Sequence, residues 1–288
     1  MRKISLEGLI QQVEDVPVLP NVVYQVMALT EDPHSTIQDL EQVILQDQSL
    51  TARILRLANS AYYGYPRKIS TLSEAVVLLG FSTMRNIVLA ATMNKFLLQE
   101  VPGYGLQRGE LWRHSQSCAV TAWYIAKKAK MKQSDKAYTA ALLEDIGKVI
   151  LSIYMEEAYE EILKRMEEEK RSFLHVEKEI LGFHHGEIGA KIAEKWNLPP
   201  DLVEVIAYHH EPEQAKENPL LTSIVHVANG LVMMMGIGLG VDGTAYPISD
   251  FALQQLGMST LEIQQIMSDV SDLLVDEDAF LTDFLGRV

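Results

Sequence analysis

Ala141-Leu142-Leu143-Glu144-Asp145-Ile146-Gly147-Lys148-Val149-Ile150 sets two adjacent carboxylates among apolar residues whose spacing at 142, 143, 146, 149 and 150 is that of a helix. A buried pair of carboxylates is costly unless something positive holds it. The histidines that stand out are His114 upstream and His184, His185, His209 and His210 downstream. Imidazoles and carboxylates together are the usual ligands of a divalent ion of the Fe, Mn or Zn type. The chemistry these residues point to is therefore metal binding, by a single ion or by none if the set is incomplete. Helical neighbours point about 100° apart, so of the two adjacent pairs His185 is assigned to the site and His184 to the surface. His209 and His210 can both serve only where a helix end frays. Lys148 reads as a solvated helix lysine, or as a phosphate contact if the site is active. His175 and His226 read as surface or core residues, and Met233-Met234-Met235 as core or interface.

The elements that must position these residues are helical throughout. Nearly every long segment follows a period of 3.6 and no run alternates with period two, so the fold class is all-α. Asn21 is placed to cap a helix through Val22, Val26 and Leu29 that Asp32-Pro33 ends. Ser35 with Gln38, Thr71 with Glu74, and Ser259 with Glu262 read as capping boxes. Gly80 reads as the end of one helix before another that runs from Ser82 to about Leu98. The turn Pro102-Gly103-Tyr104-Gly105 is the expected boundary between two lobes. This divides the chain into an N-terminal helical lobe over 1–108, a second helical lobe over 109–245 that carries the site residues, and a helical tail over 246–288. Helices are expected from Glu110 to Ala129 around His114 and Cys118, across Glu144-Asp145 to about Tyr154, after His185, and up to His209. The Glu- and Lys-rich stretch from Tyr159 to Arg171 reads as a solvated face.

Composition narrows the function classes. The 288 residues are 48% apolar and 22% charged, an ordinary globular balance with ample core. A net charge of −14 argues against broad binding of nucleic acid, which needs clustered Lys and Arg. The single Cys118 forbids internal disulfides and fits a reducing cytoplasm. Met1-Arg2-Lys3-Ile4-Ser5 leads into polar residues without an export signal. The apolar run from Gly230 to Val241 is far short of the ~20 residues that span a bilayer, so no membrane span is expected.

Taken in order, His114, the Leu143-Glu144-Asp145-Ile146-Gly147-Lys148 run, His185-Gly186-Glu187-Ile188-Gly189 and His209-His210-Glu211 resemble the HD superfamily of metal-dependent phosphohydrolases and its HD-GYP branch. Val18-Leu19-Pro20, Gln46-Asp47-Gln48-Ser49-Leu50-Thr51, Leu57-Ala58-Asn59-Ser60-Ala61-Tyr62-Tyr63 and Leu78-Leu79-Gly80-Phe81 are similar to the HDOD family, the HD-related output domain of bacterial signalling proteins. The resemblance covers about Val16 to Glu213. It implies an N-terminal bundle specific to HDOD, an HD-like helical core, and metal-ligand positions at His114, Asp145, His185, His209 and His210, with Glu144 as a substitute ligand. Two positions depart from the HD pattern. Glu144 stands where a histidine belongs, and Asn229 stands where the closing aspartate belongs. Glu211-Pro212-Glu213 also follows His210 where the glycine-tyrosine-proline signature would lie, and Gly64-Tyr65-Pro66 is a coincidence elsewhere in the chain. In an intact site of this kind Asp145 bridges two metals that activate a water for in-line attack on a phosphodiester. A neutral amide offers a metal no charge, so the second ion is the first lost. The resemblance thus implies a cytoplasmic signalling module with a degenerate site that acts on a protein partner. The alternative is a phosphohydrolase of a cyclic dinucleotide or nucleotide, with Asp145 and Lys148 in its chemistry.

Overall fold

The structure, a computed structural model, describes residues 19–59, 67–132, 134–155, 158–169, 172–241, 243 and 247–285. Val16-Pro17-Val18, the run Ser60 to Pro66 with its Gly64-Tyr65-Pro66 triplet, and the first five residues lie outside these. Among the described residues the fold is all-α, and the one β-type pairing is an isolated bridge between Val101 and Leu106. The chain divides into two compact units, one of Leu19–Lys95 with the residues from Met267 onward, the other of Phe96–Ile266.

In the first unit, helices α1 (Asn21–Glu31), α2 (Ile37–Ile44) and α3 (Gln48–Ala58) follow one another closely. They bury Val23, Val26, Leu40, Ile44 and Ile54. Helix α1 starts directly after Pro20, so Asn21 is inside the helix and is not its cap. The box of α2 is made by Thr36 with Asp39, one residue on from the Ser35 and Gln38 expected. Asp47 caps α3 by accepting from the Leu50 amide at 2.9 Å. Asn59 then fastens the approach to the next helix: its Nδ2 donates to Leu55 O at 2.6 Å and Ile69 O at 2.8 Å, while Oδ1 accepts from Ile69 N at 2.7 Å.

Helix α4 (Leu72–Leu97) is two segments joined at Gly80, whose φ of 82° and ψ of 165° only glycine adopts readily. By length and hydropathy α4 would pass for a membrane span, but 56% of its most apolar window is buried within the fold. The Gly80 break also leaves Phe81–Leu97 below the ~20 uninterrupted residues a bilayer requires.

The second unit comprises α5 (Glu110–Lys128), α6 (Ser134–Leu143), α7 (Ile146–Met155), α8 (Tyr159–Glu169), α9 (Phe173–Leu181), α10 (His185–Lys195), α11 (Pro200–Tyr208), α12 (Pro219–Met234), α13 (Asp250–Leu256) and the start of α14 (Thr260–Leu285). Helix α5 packs along α6 and α12, and α10 packs between α7 and α11. Glycines set how closely these last three approach. A Cβ on Gly147 would lie 1.9 Å from His185 O and 2.7 Å from Gly189 N, and one on Gly189 would lie 2.7 Å from the Ile206 side chain. No side chain fits there, so Ile146-Gly147-Lys148 and Ile188-Gly189-Ala190 are the marks of helices in backbone contact.

Three expectations change. Glu144-Asp145 is the turn between α6 and α7, not the interior of one helix. Helix α9 was not anticipated, although Phe173, Leu174, Val176, Ile180 and Leu181 have helical spacing before the positive-φ cap Gly182. The Pro102–Gly105 turn is an integrated part of the second unit: Gly103 N donates to Ser152 Oγ at 3.0 Å and Tyr104 is fully buried. The compact units divide earlier, between Lys95 and Phe96.

Candidate metal centre

Helix ends build the centre. The α6–α7 turn presents Asp145, the first turn of α10 presents His185, and the residues just past α11 present His209 and His210. Because Gly147 and Gly189 hold these helices in contact, the four side chains meet in the interior. One ligand atom from each of Asp145, His185, His209 and His210 lies within 4.8 Å of every other. Asp145 Oδ1 is 3.5 Å from His185 Nε2 and 3.6 Å from His209 Nε2. The rings of His209 and His210 lie 4.0 Å apart between centroids, tilted by 47°. The two follow directly on α11, which ends at Tyr208 with His209 as its C-cap.

The outer nitrogens of the rings are anchored, and this decides what the inner ones can do. His185 Nδ1 lies 3.0 Å from Glu177 Oε2, and His209 Nδ1 lies 3.0 Å from Ile206 O. His114 Nδ1 likewise lies 3.0 Å from Ile237 O. A carboxylate or carbonyl can only accept, so each Nδ1 carries a proton, and in the neutral ring the Nε2 turns a lone pair inward; His185 Nε2 also lies 3.0 Å from His210 Nε2. His209 Nε2 and Asp145 Oδ1 are buried without a hydrogen-bond partner although they face each other. Two acceptors facing across an apolar interior repel unless a cation lies between them. A three-imidazole, one-carboxylate set of this kind fits a divalent ion of the Fe, Mn or Zn class. Burial pushes the His209 ring down to about 3, and it also holds His210 well below the usual range, with His209 and His185 adding to the effect. Neutral rings are what a metal requires.

Lys148 is no solvated lysine. It is 4% exposed, and its Nζ donates to Asp145 Oδ2 at 2.8 Å while lying 5.6 Å from the Tyr104 ring centroid. Burial opposes the charge on Asp145, yet Lys148 first and the imidazoles of His185, His209 and His114 after it hold its carboxyl below the usual range. Glu144 behaves oppositely. It is fully buried, neither oxygen has a hydrogen-bond partner of normal geometry, and burial followed by the charge of Asp145 pushes its pKa well up. Its nearer oxygen lies 4.0 Å from His114 Nε2, which in turn lies 3.7 Å from Asp145 Oδ2.

His184 is not on the surface as expected. It is buried and caps α10, its Nδ1 accepting from Gly186 N at 3.2 Å while Glu187 returns the bond to His184 N at 3.0 Å. His226 is a satisfied core residue between His209 O at 2.7 Å and Ser249 N at 2.9 Å. His175 is exposed beside Ser172. Asn229 is buried with its Oδ1 unpartnered.

Sequence reasoning missed Glu177 altogether, because α9 itself was missed. Glu177 is fully buried, takes both Nδ1 and the backbone N–H of His185, and receives the Tyr104 hydroxyl on its other oxygen. It also missed the Gly236-Ile237-Gly238 loop. Gly238, with φ of 59°, passes so near α5 that a Cβ would lie 2.7 Å from the Cβ of His114, which is how Ile237 O reaches that ring.

This all-helical unit converges histidines from helix ends on a buried Asp145 beside Glu144. Residues 16–212 match the HDOD domain family, and the chain belongs to it. An HDOD domain protein of unknown function from Geobacter sulfurreducens is 26% identical, with a TM-score of 0.78 over 97% of both chains. A protein assigned as a phosphohydrolase from Shewanella amazonensis SB2B shares the fold at 22% identity, with a TM-score of 0.64 over 92% of this chain and 97% of that one. So does one assigned to signal transduction from Marinobacter aquaeolei VT8, at 20% identity and a TM-score of 0.70 over 92% of this chain and 60% of that one. An uncharacterized protein of Treponema pallidum (strain Nichols) is 29% identical over 228 residues, which are 76% of this chain and 42% of that one. The chain thus spans less than half the length of that relative.

Proposed function

We propose that the chain is a cytoplasmic regulatory module of bacterial signal transduction that acts through a protein partner, with an HD-type site that no longer hydrolyses phosphodiesters. The observation that carries this reading is the buried pair of Lys148 Nζ and Asp145 Oδ2 at 2.8 Å. Two-metal hydrolysis needs the shared carboxylate to bridge both ions, one on each oxygen. Here Oδ2 faces an ammonium, which leaves only Oδ1 for an ion. Asp145, His185, His209 and His210 would hold that ion, and four protein ligands make the closed shell of a structural site instead of the open one of a catalytic site. Bound there, a metal would supply a cross-link between the ends of α7, α10 and α11. Asn229 in place of an acid and Glu144 in place of an imidazole argue the same way.

The test is turnover of a panel of linear and cyclic phosphodiesters by purified protein with Mn2+, Fe2+ or Zn2+ supplied. No turnover above that of Asp145→Ala is expected. Robust metal-stimulated hydrolysis that Asp145→Ala abolishes would instead establish the second reading, a one-metal phosphohydrolase of a cyclic dinucleotide or nucleotide. That reading draws on the unpartnered Asp145 Oδ1 and His209 Nε2, with Lys148 turned toward a phosphate.

A further inference from the structure

Glycines at 236, 238 and 240 lead the chain out of α12 along a path that no buried side chain secures. None of the residues of Gly236–Val241 is buried, and Leu239 is 38% exposed. A segment with so little buried apolar surface opens at low cost unless something else holds it. Its start is held by the end of α12, where Gly236 N donates to Met233 O at 3.0 Å and Ile237 N to Val232 O at 3.3 Å. The rest is held by its backbone against two other residues. The Ile237 carbonyl accepts from His114 Nδ1 at 3.0 Å, and the Val241 N–H donates to the Tyr104 carbonyl at 2.9 Å. Between them Gly238 lies against α5, where a Cβ would come within 2.7 Å of both Glu110 O and the His114 Cβ.

Both anchors lead inward to the quartet by separate routes. His114 Nε2 is 3.7 Å from Asp145 Oδ2, and Asp145 Oδ1 faces the rings of His185 and His209. Tyr104 gives its hydroxyl to Glu177, whose other oxygen takes both Nδ1 and the backbone N–H of His185. Whatever fixes Asp145 and His185 therefore also steadies the two residues on which the segment hangs. We propose that Gly236–Val241 is a surface strap whose opening reports the state of the quartet: a filled quartet steadies His114 and Tyr104 and keeps the strap on α5, and an empty one lets it open more often. The inference rests on the reading of the quartet as a closed, single-ion site, and it adds the route by which that site's state reaches the protein surface.

Coupling between a site and a distant segment is reciprocal. The factor by which filling the site suppresses opening of the strap is also the factor by which an open strap weakens the site. That equality separates a coupled strap from one that merely lies nearby.

Amide hydrogen exchange of the full-length protein reads the strap directly, because the Val241 N–H is itself one of the tethers. Exchange is compared without Zn2+ and at saturating Zn2+, with bound zinc measured in parallel. Zinc is expected to slow the Val241 amide about tenfold, a coupling of ordinary size. The amides of α2, in the other unit, are expected to exchange as before. Gly238→Ala adds nothing to the quartet but must lift the strap from α5, so it is expected to abolish the slowing and to weaken zinc binding by the same factor. Gly236→Ala carries a comparable backbone strain, with a φ of 76°, but meets nothing within 4 Å and is expected to retain both. Zinc bound in full with Val241 exchange unchanged would overturn the inference and leave the reading of the site intact. So would loss of the slowing in Gly238→Ala with zinc affinity unaltered. Uptake of no zinc would overturn the inference as well, since nothing would then fill the quartet. Turnover of a phosphodiester by protein whose Val241 amide still slows would overturn the reading and leave the strap in place.

Discussion

The two units handle polarity in opposite ways. Among the described residues of Leu19–Lys95 the buried polar side chains are neutral, Asn86, Thr92 and Asn94, and the carboxylates of Asp39, Asp47 and Glu74 accept at helix starts near the surface. Within Phe96–Ile266 a lysine, two glutamates, an aspartate and three histidines meet in the interior around Asp145. A protein that needed only a stable fold would gain nothing from the second arrangement, because buried ion pairs rarely exceed well-packed apolar residues in stability. The contrast assigns packing to the first unit and chemistry to the second. Substitutions that treat the two interiors alike are the way to break it.

The largest effect is expected from Asp145→Ala. In metal-free protein it strands the Lys148 ammonium at 4% exposure, and leaving one member of a buried pair uncompensated costs about 3–5 kcal/mol. Urea unfolding measures the loss. Adding Lys148→Met should recover most of it, since an apolar side chain of similar length removes the orphaned charge. If the single variant unfolds like the wild type, the pair contributes little and the contrast between the units fails.

A pair of glycines sharpens the same contrast through the backbone. Gly147→Ala must push α7 from α10, because its Cβ would lie 1.9 Å from His185 O. A loss of at least about 1–3 kcal/mol is expected, together with a weaker metal site, as overpacking moves Asp145 against His185. Gly80→Ala meets nothing within 4 Å. Its cost comes only from φ 82°, ψ 165°, about 1–3 kcal/mol, with metal binding unchanged. Thermal unfolding beside Zn2+ titration separates the two: both variants lose stability, and only Gly147→Ala loses affinity.

Glu177→Gln tests how the interior acids serve the imidazoles. Gln retains the shape but no longer supplies a charged acceptor to His185 Nδ1, so the quartet's affinity should fall 10–100-fold, about 1.4–2.7 kcal/mol. Tyr104→Phe removes one donor to Glu177 and should cost less than Glu177→Gln in the same titration. An affinity unaltered by Glu177→Gln would make that residue a packing feature only.

What the sequence disclosed follows the same division. The all-helical class was legible because periodicity and caps are local signals, and even the slip of the α2 box from Ser35 to Thr36 moved a boundary by a single residue. His185, His209 and Asp145 could be picked out as candidates by residue type and order. Their supports could not, since Tyr104 and Ile237 O act across long sequence separations and Glu177, though near in sequence, lies on a helix that was itself missed. Lys148 and His184 were misread for a related reason. Each looks like a surface residue until the partner that satisfies it indoors is known: Asp145 for the lysine, and the Gly186 amide for the imidazole. Glu144-Asp145 was read as helix because flanking apolar residues keep the helical period across the turn that separates α6 from α7.

The smallest expected effect lies at the surface of the first unit. Asp47 accepts from Leu50 N at 2.9 Å and from Ser49 Oγ at 2.8 Å, and the first of these bonds does most to hold its carboxyl below the usual range. A folded-state value below the unfolded one stabilises the protein above the unfolded pKa, about 3.9, and that contribution disappears as pH falls through the folded value. Asp47→Ala should therefore cost about 1 kcal/mol at neutral pH, as loss of an N-cap does, and the gap from wild type should narrow as pH drops below about 4. Urea unfolding at several pH values measures it. A gap that stays constant to acid would mean that the residue contributes through something other than its charge. Asp145, buried and paired with a lysine, has no such exposed reference, so the two aspartates mark the opposite uses of charge in the two units.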